Sequence, residues 1–97
     1  MEIVEGPAFQ TWMNGLRDRK SRARILDRLV RLTEGHLGDT KSLGNGVHEL
    51  RCHFGPGYRI YFIGRGDEVI ILLCGGDKGS QDRDVAQAKR LAKYWSD

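Results

Sequence analysis

The sequence predicts a small α+β domain: a helical hairpin packed on one face of a mainly antiparallel sheet, in the order β-α-α-β-β-β-α. Three observations predict it. The stretch from His48 to Gln81 (HELRCHFGPGYRIYFIGRGDEVIILLCGGDKGSQ) reads as three strands joined by two glycine turns. Two segments before it repeat apolar residues at helical spacing, with only Arg19-Lys20-Ser21 between them, which makes an αα-hairpin. A third amphipathic segment follows a glycine-rich exit. Ninety-seven residues leave no room for two cores, so 1–97 is read as a single domain.

Met1 to Glu5 alternates, with Met1 and Ile3 on one side and Glu2 and Val4 on the other, and reads as a first strand. Gly6-Pro7 breaks it, and Pro7 suits the first turn of a helix. From Pro7 to about Asp18, Phe9, Trp12, Met13 and Leu16 form one apolar stripe. Ser21 is the expected N-cap of the second helix, Ser21 to His36, with Ile25, Leu26, Leu29, Val30 and Leu32 inward. Gly35 and Gly38 mark its end, and His36 in the last turn suits the helix dipole. Gly38 to Gly46 reads as a loop pinned to the core by Leu43. Val47–Phe54 and Tyr58–Ile63 flank a Gly55-Pro56-Gly57 hairpin, and Gly64-Arg65-Gly66-Asp67 makes a second. Glu68 to Cys74 is apolar on both faces, as in a central strand covered on both sides; its second neighbour is the first strand. Gly75 to Gly79 ends the sheet. Ser80 then caps the last helix, Asp82 and Asp84 fit its first turn, and Val85, Ala88, Leu91, Ala92 and Trp95 form its apolar stripe.

Hydrophobic residues make up 39% of the chain and charged ones 30%, the balance of a folded protein and not of a disordered one. No apolar run approaches the ~18 residues of a membrane span. The N-terminal stretch has an early acid and no apolar leader core, so a cytoplasmic location without membrane contact is expected. Cys52 and Cys74 fall on non-adjacent strands, roughly 9–10 Å apart at ~4.8 Å per strand, and on opposite faces. A disulfide needs Cα atoms within about 7 Å, so two buried thiols are expected. His36, His48 and His53 lack zinc-like spacing, and neither metal nor cofactor is expected. The net charge of +3 and a pI near 9.1 permit a polyanion partner without establishing one. Charge concentrates between Arg17 and Arg31, where seven basic residues meet two acids, Asp18 and Asp27. That run is a solvated helix face, a rim for RNA phosphates, or a docking face for an acidic partner.

Pairing Phe54 with Tyr58 across the GPG turn sets His53 against Arg59, Cys52 against Ile60, Arg51 against Tyr61 and Leu50 against Phe62. Leu50, Cys52, Phe54, Tyr58, Ile60 and Phe62 then face the helix pair. Glu49, Arg51, His53, Arg59 and Tyr61 share the other face with Ile70, Leu72 and Cys74. A one-residue slip would bury the two arginines, so the register is strongly specified. Cross-strand ion pairs on an exposed face account for Glu49 but not for His53 beside Arg59. A half-apolar, half-cationic face suits a ligand with flat bases and phosphates. Lys78 sits where backbone N–H groups at a helix start favour anions, and Gly75 and Gly76 would let a phosphate approach. The plainer reading of Lys78 is a solvated loop lysine, since GGDKG lacks phosphate-loop spacing.

The ordered set Lys41-x-Leu43-Gly44, Gly46-Val47-x-Glu49-Leu50-Arg51, Gly57-Tyr58-Arg59-Ile60-Tyr61, Leu72-Leu73-x-Gly75-Gly76-Asp77-Lys78, Gln81 and Asp84-Val85-x-x-Ala88 resembles the RelE/ParE toxin superfamily. It looks most like the HigB-type "addiction module killer protein" branch. The resemblance implies the RelE-like fold and the toxin of a type II toxin–antitoxin pair. It also implies a ribosome-dependent endoribonuclease that cuts mRNA in the ribosomal A site. Its partner would be a small helix-turn-helix antitoxin, through which alone operator DNA is contacted. Arg51, Arg59 and Lys78 match the family's basic active-site positions. Glu49 and Tyr61 join them as expected catalytic residues, and Lys41, His53 and Gln81 are assigned to RNA contact. Where many relatives carry two consecutive lysines this chain has Asp77-Lys78, and it ends in Tyr94-Trp95-Ser96-Asp97.

Such an enzyme would use the RNA 2′-OH as nucleophile, without metal, giving a 2′,3′-cyclic phosphate and a 5′-OH. Arg51 and Arg59 suit phosphate oxygens because the guanidinium fork is bidentate and always charged. Glu49 is the simplest base, yet beside two arginines it serves better to position them. His53 could accept a proton, Lys78 could be a cation or the acid, and Tyr61 could stack or donate a proton. Two other readings stay open: a ParE-like gyrase inhibitor, and a non-catalytic RNA- or protein-binding module of the same fold.

Overall fold

The computed structural model describes residues 1–95. The elements run β1 (Glu2–Glu5), α1 (Pro7–Gly15), α2 (Arg19–Thr33), β2 (Thr40–Gly44), β3 (Val47–Cys52), β4 (Tyr58–Arg65) and β5 (Val69–Asp77). A 3₁₀ turn (Lys78–Ser80) and α3 (Gln81–Trp95) follow. The sheet order is β1-β5-β4-β3-β2, with β1 parallel to β5 and the other pairs antiparallel. The helical hairpin covers one face and α3 the other. The α+β class, the RelE-like order and the mainly antiparallel sheet are as expected; Ser96 and Asp97 of the expected 1–97 domain lie outside the described residues.

Two cores flank the sheet. Phe9 and Met13 of α1 and Ile25, Leu29 and Leu32 of α2 meet Leu50, Cys52, Ile60, Phe62, Ile70 and Leu72 on one side. Ala88 and Ala92 of α3 meet Val47, Tyr61, Ile71, Leu73 and Cys74 on the other. β5 is thus buried on both faces and lies between β1 and β4, as its apolar run predicted. Both cysteines are free and buried, one in each core.

Helix boundaries differ from those expected. α1 stops at Gly15, and Asp18, not Ser21, caps α2: its carboxylate accepts from Lys20 N and from the buried Ser21 hydroxyl, each at 3.0 Å. Those bonds hold the Asp18 carboxyl below its usual range. α2 ends at Thr33 in a Schellman turn, with His36 N bonded to Arg31 O and Gly35 N to Leu32 O. His36 therefore lies past the helix. Leu26 and Val30 are 51% and 56% exposed, because Ile25, Leu29 and Leu32 alone form the inward i, i+4, i+7 stripe.

The sheet carries three corrections. Gly38 to Gly46 is not all loop: Thr40–Gly44 forms edge strand β2, with Lys41 opposite Glu49. TKSLG is polar and mostly exposed, so it gives no alternating apolar signal; Leu43 does pack onto the α3-side core. The β3–β4 register is displaced by two residues. Cys52 faces Tyr58, Arg51 faces Arg59 and Glu49 faces Tyr61, leaving a five-residue turn, 53–57. A shift of two preserves each residue's face. Finally, β5 continues through Gly75 and Gly76 to Asp77, and its register slips between Tyr61 and Phe62 so that Leu73 is an extra residue. Ile70 and Leu72 therefore turn to the helical hairpin, and of the three apolar residues expected beside the arginines only Cys74 faces α3.

Gly75 and Gly76 are not open to a ligand. A Cβ on Gly75 would fall inside the Trp12 indole, and one on Gly76 onto the Asp84 carboxylate. Gly75→Ala is expected to lower the unfolding free energy by about 1–3 kcal/mol in urea titration, because the indole must leave its seat in the α1-side core.

Candidate anion-binding site

Two rows of side chains run across the α3 side of the sheet. Ladder partners place Lys41, Glu49, Tyr61 and Cys74 in one, and Arg51, Arg59 and Gly76 in the next. Arg51 and Arg59 are directly opposed, the least favourable arrangement for like charges on neighbouring strands. Each is held apart from the other by its own partners. Arg51 Nε donates to Glu49 Oε1 at 3.0 Å. Arg59 Nη1 donates to Gly57 O at 3.1 Å and Tyr58 O at 3.4 Å.

Glu49 is fully buried. Its second oxygen accepts from Gln81 Nε2 at 2.9 Å, so one carboxylate ties β3 to the first residue of α3. Such a carboxylate holds Arg51 in place and has no path to a substrate proton. Tyr61 is also fully buried, and its hydroxyl lies against the Glu49 carboxylate without well-aligned hydrogen-bond geometry. Burial first, then the charge of Glu49, pushes the phenol well above its usual range.

Arg59 is the unusual member. It is 7% exposed and always charged, yet it has no carboxylate partner among the described residues, and its Nε is buried without any partner. A buried charge needs compensation. Gly57 (φ +80) lets the turn pack closely on the guanidinium. A Cβ there would stand 3.3 Å from Arg59 Nη1 and 3.4 Å from Lys78 Cβ. The same distances place the Lys78 stem beside Arg59, with the side chain exposed. Asp77 caps the 3₁₀ turn that carries Lys78, accepting from Gly79 N at 2.8 Å and Ser80 N at 3.2 Å.

His53 does not face Arg59. It lies past β3 in the turn, where its Nε2 pairs with Asp39; that bond is the main reason the Asp39 carboxyl is held below its usual range. Lys41 is exposed on the edge strand, in the row of Glu49. The structure therefore gathers Arg51, Arg59, Lys78, Glu49 and Gln81, sets His53 in the turn beside Arg51, and leaves Lys41 at the margin. Asp84 was missed as part of this cluster. It is buried, accepts from the Ser80 hydroxyl, and lies over Gly76, the ladder partner of Arg59. Its place in the first helical turn gave it a sufficient role at the dipole, which hid the second one. Among the described residues no three His, Cys, Asp or Glu side chains converge to hold a metal, and no helix is long and apolar enough to cross a membrane.

A protein-family model described as "Phage derived protein Gp49-like" matches residues 11–93. A Haemophilus influenzae protein, described only as uncharacterized, is 45% identical over 93 residues, covering 96% of this chain and 94% of the other. The family match includes every residue of the cluster.

Two outcomes are expected. Tyr61→Phe removes the hydroxyl that meets the buried Glu49 carboxylate, so the midpoint of urea unfolding should fall, by the equivalent of about 1 kcal/mol; an unchanged or higher midpoint would show that this contact contributes nothing. Cys74, raised to about 12 by burial and then by Asp84, stays neutral in the folded chain after an unfolded thiol ionises near 9. Its contribution to stability is complete below pH 9 and is lost as pH climbs toward about 12. Cys74→Ala should flatten that part of the stability–pH curve.

Proposed function

We propose, given that the chain belongs to the Gp49-like family of phage-derived proteins, a toxin-like family related to RelE-type addiction proteins, that it is the toxin of a type II toxin–antitoxin pair. Within that role it acts as a HigB-type, ribosome-dependent mRNA endoribonuclease in the cytoplasm, masked by a small helix-turn-helix antitoxin. The observation that carries the reading is Arg59, a buried guanidinium whose partners among the described residues are carbonyls, opposed to Arg51 and flanked by Lys78. A phosphodiester supplies the missing negative charge, and its phosphorane carries more of it.

In this mechanism Arg51 and Arg59 hold the non-bridging oxygens. Glu49 and Gln81 fix Arg51 from beneath. With Glu49 and Tyr61 buried, proton transfer falls to the groups that face solvent. His53 takes the proton of the RNA 2′-OH, with Asp39 balancing the imidazolium. The O2′–P bond forms and the P–O5′ bond breaks, and Lys78 gives its proton to the leaving 5′ oxygen. The products are a 2′,3′-cyclic phosphate and a 5′-OH. The burial of Glu49 and Tyr61 equally favours a second reading, an RNA-binding module of this fold that does not cut.

Expression without antitoxin separates the readings. The wild type should arrest growth with ribosome-dependent mRNA cuts that end in cyclic phosphate. Arg59→Ala should slow cutting by roughly 10²–10³, the usual effect of removing one transition-state donor. Arrest with intact mRNA and DNA breaks would sink the nuclease in favour of a gyrase poison; RNA binding without arrest or cutting would leave the binding module.

A further inference from the structure

A separate basic cleft of about 700 Å³ lies between α2 and the end of β3. Arg24, Arg28 and Arg31 line it from α2, and Arg51 and His53 from the sheet end. The three helix arginines sit at i, i+4 and i+7, so they form a row with Cβ atoms about 5–6 Å apart, and each repels the next. Four arginines face two aspartates in the lining, an excess of positive charge before His53 is counted. Asp27 neutralises Arg31 at 3.2 Å, and Asp39 is taken by His53. Arg24 rests on the Phe54 ring at 4.0 Å, and Arg28 packs against Gly38, where a Cβ would overlap the guanidinium. Neither has a carboxylate partner among the described residues. A ring and a bare backbone thus orient two charges without cancelling them.

Arg51 lines this cleft and also opposes Arg59 across the ladder. Lys78, Arg59, Arg51 and the α2 row therefore make one continuous cationic track around the β3–β4 end. We propose that the α2 cleft is a second phosphate-binding surface, taking the single-stranded RNA backbone that flanks the segment held at Arg51 and Arg59. A row of guanidiniums matches a repeating anion, whereas a single carboxylate or free phosphate would engage one or two of them. The inference rests on RNA as the ligand of the neighbouring site, but not on cleavage of it.

The test is fluorescence anisotropy with a labelled, uncleavable 2′-O-methyl single-stranded RNA, titrated at several salt concentrations. For single strands each neutralised phosphate contributes about −0.7 to the slope of log affinity against log salt. Arg24→Gln with Arg28→Gln should reduce the slope by about 1.4 and weaken binding at low salt. Should that double variant melt early, exposed Arg24→Gln alone serves instead, with a reduction of about 0.7. Unchanged slopes in a folded variant would overturn the inference. So would a variant that binds RNA normally but loses a labelled polyglutamate peptide, which would assign the cleft to an acidic protein. Slopes that fall as expected while cellular mRNA stays intact would support the cleft and count against the nuclease alone.

Discussion

The buried carboxylate of Glu49 is the interaction on which the site depends. It sits under α3, takes Arg51 from its own strand and Gln81 from the helix, and so fixes both walls at once. A buried ion pair of this kind contributes little net stability relative to an apolar substitute, but losing one partner strands the other. Its effect is geometric. Without it Arg51 would turn to solvent, away from Arg59, and the first turn of α3 would lose its anchor to the sheet.

The cationic cluster is built against local preference. Two arginines face each other on adjacent strands, one of them buried with a donor unused. Natural sequences accept such conflicts where a ligand resolves them. The surrounding construction maintains the conflict: Gly57 lets the turn close on the Arg59 guanidinium without adding a side chain, Asp77 shapes the turn that presents Lys78, and Asp84 with Ser80 closes the space over Gly76. Arg24 and Arg28 extend the same logic beyond the sheet, because Phe54 and Gly38 orient charge that no carboxylate among the described residues offsets.

Much of this was legible in the chain. Apolar periodicity located the three helices and the central strand, since those signals come from burial itself. The alternation around Arg51, Arg59 and Tyr61 placed them on one face, and a register error of two residues did not disturb it. What stayed hidden has physical causes. Edge strand β2 buries too little to show a pattern. The extra residue at Leu73 inverts the faces of β5 without any compositional mark, since Val69 to Cys74 are all apolar. The exposure of the sheet face was misjudged because α3 was not assigned to it, so Glu49 and Tyr61 look accessible in sequence and are enclosed in the fold. Asp18 and Ser21 are both good caps by type, and only the turn geometry chooses between them.

The polar, weakly buried character of β2 has a consequence for behaviour at high concentration. An unpaired strand edge is a template for another chain, and long apolar edges nucleate aggregates. Here the edge is five residues long, broken by an irregularity between Ser42 and Gly44, and it carries Lys41 outward. The aggregation-prone run of the molecule, Val69 to Cys74, is kept inside the sheet, paired with β1 on one side and β4 on the other. The β2 edge can therefore carry positive charge outward while giving another chain little template for strand addition.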